Sequence, residues 1–252
     1  MSVKQHVAER SYSPARTSAA EGKVAPYSLL HTGHVGLNRP RAKCRLLSHD
    51  NREMSATVDL GTVFKGTPSG KIVEAKGGTR ELRPNDVVID IVYSGLCGTD
   101  MHYRKADMVL GHEGVGVVSQ VGPAVRSIKV GDRAGWGYNH KSCGTCDHCF
   151  EGWDTLCSER TMYGVNDLDI GSFGDRAVID ADYVHKIPEG MDLRYAGPFQ
   201  CGGSTVYGAI VHAGVKANDR VGVLGLGGLG HLAVQYLAKM GCDVVVFSGT
   251  NS

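Results

Sequence analysis

Four closely spaced cysteines constrain the fold of this chain more than any other sequence feature. Cys143, Cys146, Cys149 and Cys157 lie in the segment CGTCDHCFEGWDTLC. Three thiols at successive C-x₂-C spacings can converge on one ion, and a short loop can return the fourth. Four thiolates are typical of a closed tetrahedral zinc site. A pair of disulfides and an iron–sulfur cluster are the alternatives. We favour a structural zinc, which would hold together a lobe that has little core of its own.

Two other cysteines have neighbours that suggest a second metal site. Cys97 lies in GLCGTDMH and Cys201 in FQCGGSTVYG, while GHEGVG between them supplies His112 and Glu113. Taken alone, each residue is ordinary, because a single buried cysteine is usually a packing residue. Together, two thiolates and one imidazole would leave a tetrahedral zinc one open position for water or substrate.

These motifs, the four-cysteine segment and a later GLGGLG occur in one order over about residues 61–252. In that combination the chain resembles the zinc-dependent medium-chain alcohol dehydrogenases, and especially their cinnamyl-alcohol-type branch, which often uses NADP. The resemblance implies that Cys97, His112 and Cys201 bind a catalytic zinc, with Glu113 close to the metal. It also implies an oxidoreductase that interconverts a primary alcohol and its aldehyde with NADP(H), and a family-like homodimer whose interface we expect this chain to lack.

The same resemblance assigns roles to three residues that follow Cys97. Asp100 matches the acid that orients a histidine ligand by accepting its other N–H. Thr99 and His102 match the proton relay, in which Thr99 takes the hydrogen bond of the alcohol and the proton passes through the cofactor ribose towards His102. A turn without chemistry is the alternative for Thr99 and His102. The connection from Cys97 to His112 is several residues shorter than in the family, so we expect a differently shaped substrate cleft.

A glycine pattern near the end of the chain predicts a dinucleotide-binding loop. Gly225, Gly227 and Gly230 have the spacing G-x-G-x-x-G, and they follow an apolar strand (221–224) and open an amphipathic helix. The next strand, CDVVVFSGT, ends at Ser248 without the acid that binds the ribose 2′-hydroxyl of NAD, so NADP is favoured over NAD. The predicted cofactor-binding residues are Gly225, Leu226, Gly227, Gly228, Leu229, Gly230 and Ser248.

Short strands separated by turn residues predict a β-barrel-like region, with segments at 87–95, 114–122, 132–138 and 175–188. The fold class is therefore mixed α/β: a GroES-like β-barrel catalytic domain followed by an incomplete Rossmann dinucleotide-binding domain. The predicted divisions are an N-terminal extension (1–56), disordered or non-native, a zinc-binding catalytic domain (57–200) and the truncated start of a Rossmann domain (201–252).

Composition excludes some classes of partner. The formal net charge is +1, from 27 basic and 26 acidic residues, which argues against nucleic acid, and no apolar run of about 18 residues predicts a membrane span. Residues 1–53 carry nine Lys/Arg against four Asp/Glu but lack the apolar stretch of a secretory signal. We therefore expect a cytoplasmic protein, with organelle targeting by residues 1–53 as the alternative.

The sequence ends directly after the second strand of the βαβ pattern, so only half of a dinucleotide fold is expected. We therefore expect a chain that binds two zinc ions but does not turn over alcohol by itself. The alternative to an enzyme is a catalytically silent, zinc-stabilised fragment or scaffold protein of the same family. The other enzymatic alternative is a quinone or enoyl reductase, which would need neither Cys97, His112 and Cys201 nor the four-cysteine segment.

Overall fold

A computed structural model describes residues 56–249, and the structural statements below concern that part of the chain. The predicted N-terminal extension, together with its possible targeting role, lies outside the described residues, apart from Ala56. None of the helices in the described part is both long and apolar enough to cross a membrane.

The described residues form thirteen strands and five α-helices. The strands are β1 (Thr57–Asp59), β2 (Thr62–Lys65), β3 (Val73–Lys76), β4 (Thr79–Glu81), β5 (Asp86–Ser94), β6 (Gly114–Val121), β7 (Arg133–Trp136), β8 (Asn139–Lys141), β9 (Thr161–Met162), β10 (Arg176–Asp180), β11 (His185–Lys186), β12 (Arg220–Leu224) and β13 (Asp243–Phe247). The helices are α1 (Gly98–Tyr103), α2 (Asp147–Phe150), α3 (Leu193–Pro198), α4 (Ser204–His212) and α5 (Gly228–Lys239).

A five-stranded antiparallel sheet with the order β10-β5-β6-β7-β11 holds the main core. Its strands are rich in β-branched residues, whose stiff side chains pack well on a pleated surface. The buried side chains include Val87, Ile89, Val118, Trp136 and Ile179. The segments predicted at 87–95, 114–122 and 132–138 correspond to β5, β6 and β7.

The prediction of one strand over 175–188 is wrong, because a 3₁₀ turn at Ala181–Tyr183 divides it into β10 and β11. The Asp180 carboxylate accepts the Asp182 N–H at 3.1 Å and stabilises the start of this turn. The break sends the two halves to opposite edges of the sheet, where β10 pairs with β5 and β11 pairs with β7.

A helical run leads from the sheet to the C-terminal part of the described chain. It consists of α3, a π-helical turn at Phe199–Gly203 and α4. Then β12 and β13 pair in parallel, and α5 connects them, so the predicted βαβ unit and the mixed α/β fold class are confirmed. The predicted boundary between residues 200 and 201 falls inside the π turn, and the division into domains stays a prediction.

Candidate active site and metal centres

The structure brings together four side chains from separate parts of the chain: Cys97, His112, Glu113 and Cys201. Cys97 immediately precedes α1, His112 and Glu113 immediately precede β6, and Cys201 lies in the π turn. One potential ligand atom from each residue lies within 4.8 Å of all the others. A π turn inside a helical run is frequently found at functional sites.

The distances within this cluster fit a zinc site. The Cys97 and Cys201 Sγ atoms are 3.9 Å apart, and His112 Nε2 lies 3.3 Å from Cys201 Sγ. Tetrahedral zinc with ordinary bond lengths separates two sulfur ligands by about 3.8 Å and a nitrogen from a sulfur by about 3.5 Å. The donor set and its spacing therefore fit Zn²⁺ with two thiolates and one imidazole.

Asp100 fixes the orientation of the histidine in this cluster. Its Oδ1 atom accepts the His112 Nδ1–H at 2.8 Å, and its Oδ2 atom accepts the Cys97 N–H at 3.0 Å. Both side chains are buried. Burial raises the pKa of Asp100, but the hydrogen bonds from His112, Cys97 and Tyr163 outweigh it, so the pKa lies below its ordinary value. The proton on Nδ1 leaves Nε2 as the atom available to a metal.

Tyrosines surround His112, and the sequence analysis missed them. Tyr163 is fully buried, donates its hydroxyl to Asp100 Oδ1 at 3.0 Å and packs on the imidazole with ring centroids 5.0 Å apart. Tyr138 meets His112 edge-on at 5.7 Å and exchanges a hydroxyl–hydroxyl hydrogen bond of 2.8 Å with Tyr103. These residues are far apart in sequence and follow no shared spacing, so only the fold reveals the cluster.

Burial disfavours the ionised forms of two groups in the cluster, Cys201 and Glu113. Burial raises the pKa of Cys201 to about 12, with the charges of Cys97 and Glu113 adding to the effect. Burial also raises the pKa of Glu113. Because metal ligands must be deprotonated, a divalent cation at this point would supply the charge that stabilises the thiolates.

The four predicted thiols of the other site also converge. The Sγ atoms of Cys143, Cys146, Cys149 and Cys157 all lie within 4.8 Å of one another. Cys143 and Cys149 are 3.9 Å apart and Cys146 and Cys149 are 3.6 Å apart, close to the tetrahedral sulfur–sulfur distance of about 3.8 Å. The seven cysteines in the described chain are all free thiols.

The lobe that carries these thiols has few apolar contacts. Phe150 is 76% exposed and Leu156 is 55% exposed, so little hydrophobic burial stabilises the segment. Hydrogen bonds from the N–H groups of Thr145 and Cys146 lower the pKa of Cys143 to about 6, which favours its thiolate. A zinc ion fits both the donor set and the need for another source of stability.

A cavity of about 550 Å³ adjoins the Cys97–His112–Cys201 cluster, and we call it the reaction cavity. It is lined by Thr99, His112, Gly137, Tyr138, Asn139, Asp154, Thr155, Tyr183, His185, Gln200, Cys201, Ser204, Thr205 and Gly208. Thr99 is thus placed beside the cluster. His102 lies in the last turn of α1 and is exposed, and it does not line the cavity.

The predicted glycine loop lies on the other side of the cluster. Gly225 has a φ of +88°, and a Cβ on Gly230 would lie 2.0 Å from the Gly225 carbonyl oxygen. A second cavity, of about 420 Å³, is lined by Cys97, Glu113 and Cys201 and also by Gly228 and Leu229. The start of α5 and the candidate metal site therefore face the same space.

Residues 83–189 match the family model for the alcohol dehydrogenase GroES-like domain. An alcohol dehydrogenase from Geobacillus stearothermophilus is 40% identical over 168 residues, 64% of this chain and 49% of that protein. The aldehyde reductase AdhA from Synechocystis is 38% identical over 191 residues, 72% of this chain and 56% of that protein. The chain spans about half the length of these curated relatives.

Solved structures show the same likeness. A cinnamyl alcohol dehydrogenase from Sorghum bicolor matches with a TM-score of 0.68 and 32% identity, over 78% of this chain and 59% of that chain. The Helicobacter pylori enzyme CAD, complexed with NADP(H), matches with a TM-score of 0.68 and 29% identity, over 78% of this chain and 60% of that chain. The sheet is thus a GroES-like domain followed by Rossmann-type βαβ structure. Residues 83–189 thus belong to the alcohol dehydrogenase GroES-like family, and the described chain as a whole resembles the medium-chain alcohol dehydrogenases.

Proposed function

We propose that this chain carries the catalytic machinery of a zinc-dependent oxidoreductase that interconverts a primary alcohol and its aldehyde with NADP(H). The observation that carries the proposal is the cluster of Cys97, His112 and Cys201 at the end of the reaction cavity, with Asp100 behind the imidazole. Relatives named as an alcohol dehydrogenase and an aldehyde reductase support the reaction class.

Within this proposal, Cys97, His112 and Cys201 would hold the catalytic zinc, and Glu113 lies beside them. When bound, zinc supplies Lewis acidity towards a substrate oxygen, and NADP(H) supplies or accepts the hydride. Asp100 keeps the His112 Nδ1 protonated and so presents Nε2 towards Cys201.

Two further residues would handle the proton. The Thr99 hydroxyl lines the reaction cavity, where it can accept a hydrogen bond from a substrate hydroxyl. His102 is exposed on the same helix, where its imidazole would pass the proton on to solvent.

The cofactor proposal depends on the loop between β12 and α5. Its glycines leave the first turn of α5 open, and the N-terminus of a helix favours a pyrophosphate. Ser248, and not an acid, follows β13, so no carboxylate at that position would repel a 2′-phosphate. Two similar structures, from Helicobacter pylori and Sinorhizobium meliloti, are described as NADP complexes.

A second zinc would be bound by the four cysteines of the lobe, which gives two zinc ions per chain. This closed site leaves no open coordination position, so its role would be structural. We retain the division into a catalytic domain (57–200) and a nucleotide-binding region (201–252) as part of the proposal.

A second candidate function is a zinc-stabilised protein without turnover. The observation that favours it is the four-thiol cluster of Cys143, Cys146, Cys149 and Cys157, a closed donor set that would stabilise the lobe whether or not the chain turns over a substrate.

An assay of the zinc-loaded chain separates the two candidates. NADPH consumption would be measured with a panel of aldehydes for the unmodified chain, Cys97→Ser and the matched control Cys242→Ser, which changes a thiol outside both clusters. Turnover that is lost only in Cys97→Ser supports the oxidoreductase. Two bound zinc ions without turnover support the second candidate, and the absence of zinc in the Cys97 site contradicts both.

A further inference from the structure

The side chains that line the reaction cavity mostly carry polar groups, although their carbon atoms supply most of its exposed surface. Small-molecule sites are mostly lined by hydrophobic and aromatic side chains, with few polar groups. No aliphatic side chain, phenylalanine or tryptophan is among the residues that line this cavity. Its two benzene rings belong to Tyr138 and Tyr183, which both carry hydroxyls. The other lining residues are glycines or carry hydroxyl, amide, imidazole, thiol or carboxylate groups.

Several of these polar side chains make no hydrogen bond within the described part of the chain. Within the described residues, the side chains of Thr99, Asn139, Thr155 and Thr205 make no hydrogen bond. Asp154 accepts the Tyr183 hydroxyl at 2.7 Å through Oδ2, which leaves its other carboxylate oxygen for a further donor. The cavity therefore offers donors and acceptors beyond those needed to bind one alcohol oxygen.

Some of the free groups come from two different elements that line the cavity. Asp154 and Thr155 belong to a 3₁₀ turn in the four-cysteine lobe, and Thr205 lies on α4. The two elements are joined by Trp153 of the lobe and His212 of α4, whose rings stack with centroids 4.1 Å apart and an interplanar angle of 11°. An occupant that reaches from Cys201 into the lobe would meet polar groups along its length.

From this lining we infer that the reaction cavity takes a polyhydroxylated alcohol or the corresponding hydroxyaldehyde, with Asn139 and Thr155 as specificity-determining residues. The inference rests on the proposed function and narrows its substrate class. An apolar chain in this cavity would strip water from several polar groups and give them no partner. A site built to bond a hydroxyl discriminates strongly against analogues that lack it.

The test compares four-carbon probes that differ in their hydroxyl groups. Binding of erythritol and 1-butanol to the zinc-loaded full chain with NADP would be measured by NMR titration. Erythritol should bind at least about ten-fold more tightly, as expected when several hydroxyls find partners that a methylene chain leaves unpaired. The double variant Asn139→Leu/Thr155→Val should lose that preference, while Thr79→Val, on the exposed strand β4, should keep it. Zinc content of each variant confirms that the site is assembled.

The outcomes are separable from those of the proposed function. Equal or tighter binding of 1-butanol overturns the inference, as does no binding of either probe or an equal loss of preference in Thr79→Val. NADPH consumption would be measured in parallel with erythrose and butanal. Faster turnover of butanal also overturns the inference but leaves the oxidoreductase standing. Preferential erythritol binding without turnover keeps the inference and removes the redox function.

Discussion

Replacement of Gly230 by alanine should destabilise the βαβ unit, although alanine is the better helix former. A Cβ at this position would lie 2.0 Å from the Gly225 carbonyl oxygen and 2.9 Å from the carbonyl carbon. The Gly225 backbone has little freedom to retreat, because its N–H donates to the Phe247 carbonyl at 2.8 Å and its φ is +88°. The N-terminal turn of α5 would have to move away from β12.

Gly208 provides the matched control, because it lies inside α4 and a Cβ there meets nothing within 4 Å. The helix preference of alanine over glycine is about 1 kcal/mol, and Gly208→Ala should show up to that gain. In Gly230→Ala, a packing penalty of about 1–3 kcal/mol opposes the same gain, and a contact this short belongs at the upper end. The two variants should therefore differ by about 2–3 kcal/mol in the free energy of unfolding of the unit that contains them.

Urea unfolding followed by circular dichroism, with hydrogen exchange of the α5 and β13 amides, would measure the difference. In a thermal unfolding experiment, a change of 1 kcal/mol in the free energy of unfolding corresponds to roughly 2–4 °C in Tm for a chain of this size. Faster amide exchange should be confined to the βαβ unit in Gly230→Ala. If Gly230→Ala were as stable as Gly208→Ala, the close approach of α5 to the glycine loop would be refuted.

Three further predictions concern metal, cofactor and pH. Cys146→Ser should lower the zinc content from about two to about one per chain and expose the lobe to proteolysis, whereas Cys242→Ser should do neither; unchanged zinc in Cys146→Ser would contradict the structural site. Ser248→Asp should weaken NADPH binding relative to NADH in a fluorescence titration, since a carboxylate repels the 2′-phosphate, and an unchanged ratio would refute this. Burial raises the pKa of Asp167, but the hydrogen bonds and charges of His140 and Arg80 outweigh it and hold the pKa below its ordinary value. The stabilisation of the fold by the ionised Asp167 is therefore complete above the ordinary pKa of aspartate and is lost as the pH falls through the pKa of the folded state. The difference in the free energy of unfolding between the unmodified chain and Asp167→Asn should therefore shrink only in acid.

The sequence predicted the elements whose signal is local. Short runs of β-branched residues between turn residues predicted β5, β6 and β7, and the glycine pattern predicted the turn between β12 and α5, since both signals depend on near neighbours. The break at Ala181–Tyr183 was missed, because the β-branched residues on both sides of it favour strand, and only the sheet shows that the two halves pair with opposite edges. Likewise, no spacing relates Tyr163 to Asp100 or His140 to Asp167, and these buried contacts follow only from the tertiary structure.

The residues after Cys201 explain why the candidate metal site and the glycine loop come together. A Cβ on Gly203 would lie 2.7 Å from the Tyr236 hydroxyl, and one on Gly202 would lie 3.3 Å from Leu232. A side chain at either position would therefore require Tyr236 or Leu232 to shift, and the two glycines let the π turn and α5 pack closely without that shift. The sequence CGG thus joins a candidate ligand to a surface against which α5 packs. The local sequence shows the cysteine and the glycines, but the reason why they are adjacent is visible only in the packing of α5, which lies further along the chain.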